Sequence, residues 1–408
     1  MKLKHAELDN GLTVIAEVRE SAASMAAGFF VRTGARDETP EVAGVSHFLE
    51  HMVFKGTARR DPLQVNREFD SMGANYNAFT SEENTVFYGA VLPEYQDGLL
   101  DLLCDILRPS LREEDFDLEK NVILDEIARY RDMPRYRVYE MLLAEYFRPH
   151  PLGHSVLGSP ESVGALTQEQ MLAYFNRRYA ANNLTLVGVG NVDFDALVAK
   201  ATEMCGHWSA AETGRDIAEP QGCTGRKIVA DPNVARQQIA LASPAPAAQD
   251  DDRYAAMLAT ALLGDTTGSR LYYALVDPAL ADEASMVYDS LDGVGVFLTF
   301  MSCDSEKASQ VLEIAQRELA KFQANGPTDA EMLAAKNKIA SGATLKGELP
   351  MGRLTAVGYD WVYRGEYVPL AEQIETLFAV TPEQVIDVVR ERDLARTMLV
   401  TLGPLENL

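Results

Sequence analysis

The stretch SHFLEHMVFKG, residues 46–56, carries two of the chain's six histidines at a spacing that could do chemistry. On a helix, His47 and His51 stand at i and i+4 on one face, so both imidazoles can reach a single ion. Glu50, three residues after His47, stands beside the pair. The order H-x-x-E-H is the inverse of the H-E-x-x-H zinc signature. Two neutral imidazoles and one carboxylate suit zinc, with a fourth position left for water. The ion would draw that water's pKa toward about 7, and a neighbouring glutamate could take its proton. The competing reading is of two helix histidines bonded to backbone or solvent, and spacing alone leaves both open.

A zinc site of this kind needs a third ligand, on a separate helix and facing inward. LEKNVILDEIARYRD, residues 118–132, supplies one. In a helical register Glu126 has Val122 and Ile123 on the turn before it and Tyr130 on the turn after. It is an acid on a largely apolar face, and a buried carboxylate needs a partner. An interior salt bridge would meet that need as well as a metal. Asp125, with Arg129 at i+4, reads as a surface ion pair. Glu119 lies two turns before Glu126 on the same face, where it could orient a histidine ligand from behind. The other histidines carry less. His150 and His154 in RPHPLGHSVLGSP are also four apart, but Pro149, Pro151 and Gly153 prevent a regular helix. His5 and His207 have no partner that sequence can name.

The elements that must position these groups come from a chain of 408 residues, too long for one ordinary core. LTQEQMLAYFNRRYAANNLTLVGVGNVD (166–193) runs helix, turn, strand, glycine, and VTPEQVIDVVRERDLARTMLVTLGPLE (380–406) repeats that order. In each copy Thr, followed two residues later by Glu, resembles a helix start. The repeat is a duplication at domain scale. The polar segment SAAETGRDIAEPQGCTG marks the join, which gives a first domain over residues 1–208, a linker over 209–224 and a homologous second domain over 225–408. Strand-like runs such as SMAAGFFVRTG and GVFLTFMSC alternate with amphipathic helices. The expected fold is α+β, with a mainly antiparallel sheet packed with helices in each domain.

Composition excludes several classes. A formal charge of −24 argues against nucleic acid, whose phosphates would be repelled. The longest apolar runs, such as LTLVGVG, are far short of a membrane span. The N-terminal residues hold no apolar core of signal-peptide length. Cys104, Cys205, Cys223 and Cys303 form no CxxC pair and read as reduced, packed thiols of a cytoplasmic protein.

HFLEHMVFKGT, followed 75 residues after His51 by Glu126, resembles the pitrilysin/insulinase (inverzincin) family of zinc metallopeptidases. The likeness is greatest to its mitochondrial-processing-peptidase-like branch. LDNGLTV, GANYNAFTSEENTVFY, HPLGHSVLG and LVGVGNVD agree with it, strongly over residues 1–195 and more loosely after 225. The resemblance implies two homologous α+β domains, and two such chains, identical or homologous, closing as a dimer around a chamber. It implies zinc held by His47, His51 and Glu126, with Glu50 as general base on a zinc-bound water and Glu119 behind a ligand. It also implies that Asn77, Ala78, Phe79 and Thr80 lie on an edge strand to which an extended peptide adds. Asn77 and the Ala78 backbone would hold the peptide, and Phe79 would line the pocket just past the scissile bond.

One departure stands out. Active members carry an arginine and a tyrosine, seven residues apart, that contact substrate from the second domain. Here the matching positions in SRLYYALVDPALADEASMVY are Val276 and Glu283. Arg270, Arg353 and Tyr359 are candidates to substitute. The leading expectation is a zinc endopeptidase acting on unfolded or short peptides in an enclosed chamber. The alternatives are a non-catalytic or partner-dependent subunit of a processing-peptidase-like dimer, and a metal-dependent esterase or amidase.

Overall fold

Strands β1 (Lys2–Glu7), β2 (Thr13–Val18), β3 (Met25–Val31), β4 (Asn75–Thr80), β5 (Thr85–Val91) and β6 (Leu184–Gly190) build one sheet in the order β1-β2-β6-β3-β5-β4. Its β2–β6 pair is parallel and its other pairs are antiparallel. MAAGFFV and LTLVGVG are apolar without alternation because β3 and β6 are buried along their whole length, with both sheet faces covered. A second sheet, of β7 (Gly225–Ala230), β8 (Gln237–Ala245), β9 (Glu283–Leu291), β10 (Val294–Cys303) and β11 (Met398–Gly403), has the order β7-β11-β8-β10-β9. Taken in chain order, β7 to β11 repeat β2 to β6, including the parallel first pair. The fold is α+β and duplicated.

Helices of the first half are α1 (Val45–Val53), α2 (Pro62–Ser71), α3 (Gln96–Ile106), α4 (Glu113–Arg131), α5 (Pro134–Tyr146), α6 (Pro160–Ala165), α7 (Gln168–Arg178) and α8 (Phe194–Cys205). Then follow α9 (Arg253–Gly264), α10 (Ala308–Asn325), α11 (Asp329–Gly347), α12 (Pro350–Arg364), α13 (Leu370–Ala379) and α14 (Pro382–Glu391). The repeated helix starts are capping boxes, in which Thr167 and Thr381 accept from the amides of Gln170 and Gln384. The partner is therefore the glutamine three residues on, not the glutamate at two, because the third amide is the one within reach of the cap.

The computed structural model describes residues 2–215, 220 and 222–408. It divides into one unit of Met1–Ala128, His154–Asp216 and Thr344–Pro369, and another of Arg129–Gly153, Ile217–Ala343 and Leu370–Leu408. These units cut across the continuous halves expected from sequence. Helix α12 belongs to the first, where Leu354 and Val357 pack on Ile15, Phe30 and Val187. Helix α5 belongs to the second, where Val138 and Leu142 pack on Ala240 and Val400. The physical reason is coverage: a sheet buried on both faces needs helices on both, and each sheet takes one cover from the other half of the sequence. Residues 216–219 and 221 of the expected linker lie outside the described residues.

Candidate metal centre

Helix α1 buries Val45, Phe48, Leu49, Met52 and Val53, which occupy one arc of the helix at 100° per residue. That leaves His47, Glu50 and His51 together on the remaining arc. Helix α4 brings the acids: Phe116, Glu119, Ile123 and Ile127 are its buried positions, and Glu126 is half-buried among them. Val122, expected on the same apolar face, is instead 49% exposed, because the buried stripe turns toward Ile123 and Ile127.

His47, His51 and Glu126 each offer a donor atom, and these atoms all lie within 4.8 Å of one another. Nε2 of His47 is 3.7 Å, and Nε2 of His51 is 3.5 Å, from Oε2 of Glu126. Tetrahedral ligands on bonds of about 2.0–2.1 Å stand roughly 3.3 Å apart, so each imidazole lies close to the spacing from Glu126 that zinc requires. The set is one of nitrogen and carboxylate donors, which zinc accepts. The imidazole of His47 is buried, its Nδ1 has no hydrogen-bond partner, and its Nε2 lies beyond hydrogen-bond reach of Glu126. A buried ring bonded through neither nitrogen is costly, and an ion at Nε2 would relieve part of that cost. The residues fit the group.

At His47, electrostatics act in the same direction. Burial, reinforced by the charge of His51, pushes the His47 pKa down to about 3, which keeps the ring neutral with its lone pair available. Burial also opposes charge on His51, but the hydrogen bond to Glu119 and the nearby charges of Glu50, Glu119 and Glu126 outweigh it and raise its pKa. Nδ1 of His51 is 2.8 Å from Oε1 of Glu119, an arrangement that leaves Nε2 turned toward Glu126. Lys55 binds the other oxygen of Glu119 at 2.6 Å. Burial would raise the Glu119 pKa, and the bonds to His51 and Lys55 override it and lower it. Glu50 is raised by burial and by the charge of Glu126, against the opposing bond from Thr80 and the charge of His51. The Thr80 hydroxyl donates to Oε2 of Glu50 at 2.8 Å.

Thr80 ends β4, the edge strand of the first sheet. Asn77 pairs with Tyr88, Ala78 with Phe87 and Phe79 with Val86, so alternate residues of β4 face opposite ways. Ala78 and Thr80 look toward α1. Asn77 and Phe79 look toward α12, where Phe79 meets Tyr88 at 6.2 Å between ring centroids. The Asn77 side chain accepts from the Ala78 amide at 2.9 Å. Sequence alone does not point to Lys55 or to Glu38, which holds the start of α1, and it places Thr80 on the edge strand without its bond to Glu50.

The proposed substitutes for the missing arginine and tyrosine are engaged elsewhere. Arg270 binds Glu331 at 2.8 Å and the Gly326 carbonyl. Arg353 is buried against Glu17 at 2.9 Å, and Tyr359 packs edge-on against Phe30. Val276 packs against the second core, and Glu283, at the start of β9, pairs with Arg135 at 3.1 Å. His150 accepts from the Leu152 amide in a short turn over Pro151–Gly153. Cys104 and Cys205, distant in sequence, meet as free buried thiols with sulfurs 3.4 Å apart. Among the described residues, His47, His51 and Glu126 are the set of three or more such side chains placed to hold one metal, and no helix is long and apolar enough to cross a membrane.

Residues 13–160 match the family model described as Insulinase (Peptidase family M16), and residues 165–339 match that of the Peptidase M16 inactive domain. The candidate ligands His47, His51 and Glu126 fall in the first match. An uncharacterized zinc protease of Mycobacterium leprae is 30% identical over 407 residues, covering 97% of this chain and 91% of that protein. One of Bacillus subtilis is 27% identical over 408 residues, covering 100% of this chain and 99% of that protein. The crystal structure of a protease from Helicobacter pylori superposes with a TM-score of 0.92 at 20% identity, covering 99% of this chain and 100% of that one, a likeness of fold. With both halves matched in family order and relatives aligned along almost their whole length, this chain belongs to the insulinase family of peptidases, family M16.

Proposed function

We propose that this chain is a zinc endopeptidase for unfolded or short peptides, with His47, His51 and Glu126 holding the ion and Glu50 as general base. The observation that carries this reading is the convergence of three donor atoms within 4.8 Å, with Glu50 beside them and tied to the end of an edge strand. Zinc bound there supplies a Lewis acid for the scissile carbonyl and lowers the pKa of a water. The neutral His47 ring offers its lone pair without first losing a proton, and Glu119 orients the His51 ring. Glu50 accepts a proton and hands it to the leaving amine, and its raised pKa suits that return step.

Among the described residues the outer edge of β4 has no strand neighbour, so its backbone can pair with an extended peptide. Asn77 and the Ala78 backbone would hold that peptide. Phe79 would meet a substrate side chain pointing away from Glu50. Only an extended segment can add to an edge in this way, which disfavours folded proteins. A chamber between two such chains, identical or homologous, would impose the same restriction.

A second reading, a partner-dependent subunit, has its own observation: Arg270, Arg353 and Glu283 are committed to Glu331, Glu17 and Arg135. Metal analysis of the purified protein, paired with a chelator-sensitive cleavage assay on a mixed peptide pool, separates the two. About one zinc per chain with cleavage supports the first. Zinc without cleavage moves the assignment to the second, and a chain that takes up no zinc overturns both the site and the mechanism.

A further inference from the structure

Helix α1 starts at Gly44, whose backbone is left-handed with φ of +92°. A Cβ there would stand 2.7 Å from the Leu157 carbonyl oxygen and 3.0 Å from Gly158 Cα, so the position needs glycine. The residue at the cap therefore brings no side chain to bond the free amides of the first turn, which still require partners. They find them six residues upstream. Oε2 of Glu38 accepts from the Gly44 amide at 2.6 Å, and Oε1 accepts from the Ser46 amide at 2.7 Å. Glu38 is 4% exposed, and its charge at a helix N-terminus is favourably placed against the helix dipole. The same turn is held from a second side. The Ser46 hydroxyl is 2.9 Å from the Tyr174 hydroxyl on α7, which is 2.7 Å from the hydroxyl of Thr33.

Ser46 is the residue immediately before His47. We propose that Glu38 is the positioning residue of the metal-bearing helix: by gripping two backbone amides of its first turn, it sets where His47 stands and so how tightly zinc is held. This rests on the zinc reading above. Glu38 does not touch the ion or the peptide. It acts through the backbone, and metal affinity is sensitive to small errors in where the ligand atoms are placed.

The test is the zinc dissociation constant of the full-length protein, measured by competition with a chromophoric chelator at pH 8, for wild type, Glu38→Gln and Arg353→Met. Arg353 forms a buried ion pair with Glu17 away from α1 and controls for general loss of stability. The expected result is a weakening of about 10- to 100-fold in Glu38→Gln, the range for loss of a group that orients a ligand, with the affinity of Arg353→Met close to wild type. Equal affinity in Glu38→Gln and wild type overturns the proposal, as does a matching loss in Arg353→Met. A wild type that takes up no zinc is a different failure, that of the metal reading itself. Hydrogen exchange on the wild type gives a measurement independent of how the variant folds. The Gly44 and Ser46 amides should exchange slowly, and exchange as fast as in exposed loops would overturn the grip.

Discussion

Thr80 donates a 2.8 Å hydrogen bond to Glu50, joining the last residue of the edge strand β4 to the proposed base on α1. The group that would accept the proton and the strand that would hold the peptide are thus fixed to each other directly. Thr80→Val should leave zinc content unchanged and lower kcat by roughly 10-fold, the worth of a hydrogen bond to a charged group. Thr80→Ser should restore most of it. An unchanged kcat in Thr80→Val would show that the bond does not position Glu50.

Glu50→Gln keeps the shape of the side chain and removes its basicity. Peptide hydrolysis should fall by about 10²- to 10⁴-fold with the zinc still bound. A variant that cleaves at the parental rate would remove Glu50 from the mechanism.

Glu119 bonds Nδ1 of His51 and the Lys55 ammonium. Glu119→Gln should weaken zinc binding by about 10- to 100-fold with little change in secondary structure. Chelator competition checks it, and wild-type affinity would assign Glu119 a purely structural role.

Glu38 gives a pH dependence whose sign is defined. Burial raises its pKa from 4.5 to about 7, against the bonds from the Ser46 and Gly44 amides, with Asp37 adding to the rise. Between those two values the folded chain holds a proton that the unfolded chain has released. Its contribution to stability is therefore fully present below pH 4.5 and is lost as pH rises through 7. Glu38→Gln does not titrate, so its stability relative to wild type should increase across that window by about 3 kcal/mol. Urea denaturation of both proteins at pH 4.5 and 7.5 measures this difference, and parallel pH profiles would refute it.

Arg353 and Glu17 are both buried and bonded at 2.9 Å, with the Tyr367 hydroxyl also donating to Glu17. Arg353→Met leaves a buried carboxylate short of its cation and should cost about 3–5 kcal/mol in stability. At temperatures where the variant is folded, its KM for peptides should equal that of wild type. A raised KM would return Arg353 to the substrate site.

Much of this was legible in the residue order because it is local. His47, Glu50 and His51 share a helix face by the geometry of a 3.6-residue turn, and Glu119 and Glu126 share another for the same reason. The duplicated helix, strand and glycine pattern forecast two sheets of one topology, since equal local patterns make equal elements. Other features depended on contacts between residues remote in sequence, and no period records those. The exchange of α5 and α12 between the units is one, because a continuous reading of the chain assigns each helix to its own half. The burial of Arg353 against Glu17 is another. So is the reach of Glu38 back to the first turn of α1: a glutamate in a loop looks like any other until the packing around Gly44 removes every alternative cap. Spacing along the helix named the groups that would do the chemistry, and tertiary packing decided which other residues hold them in place.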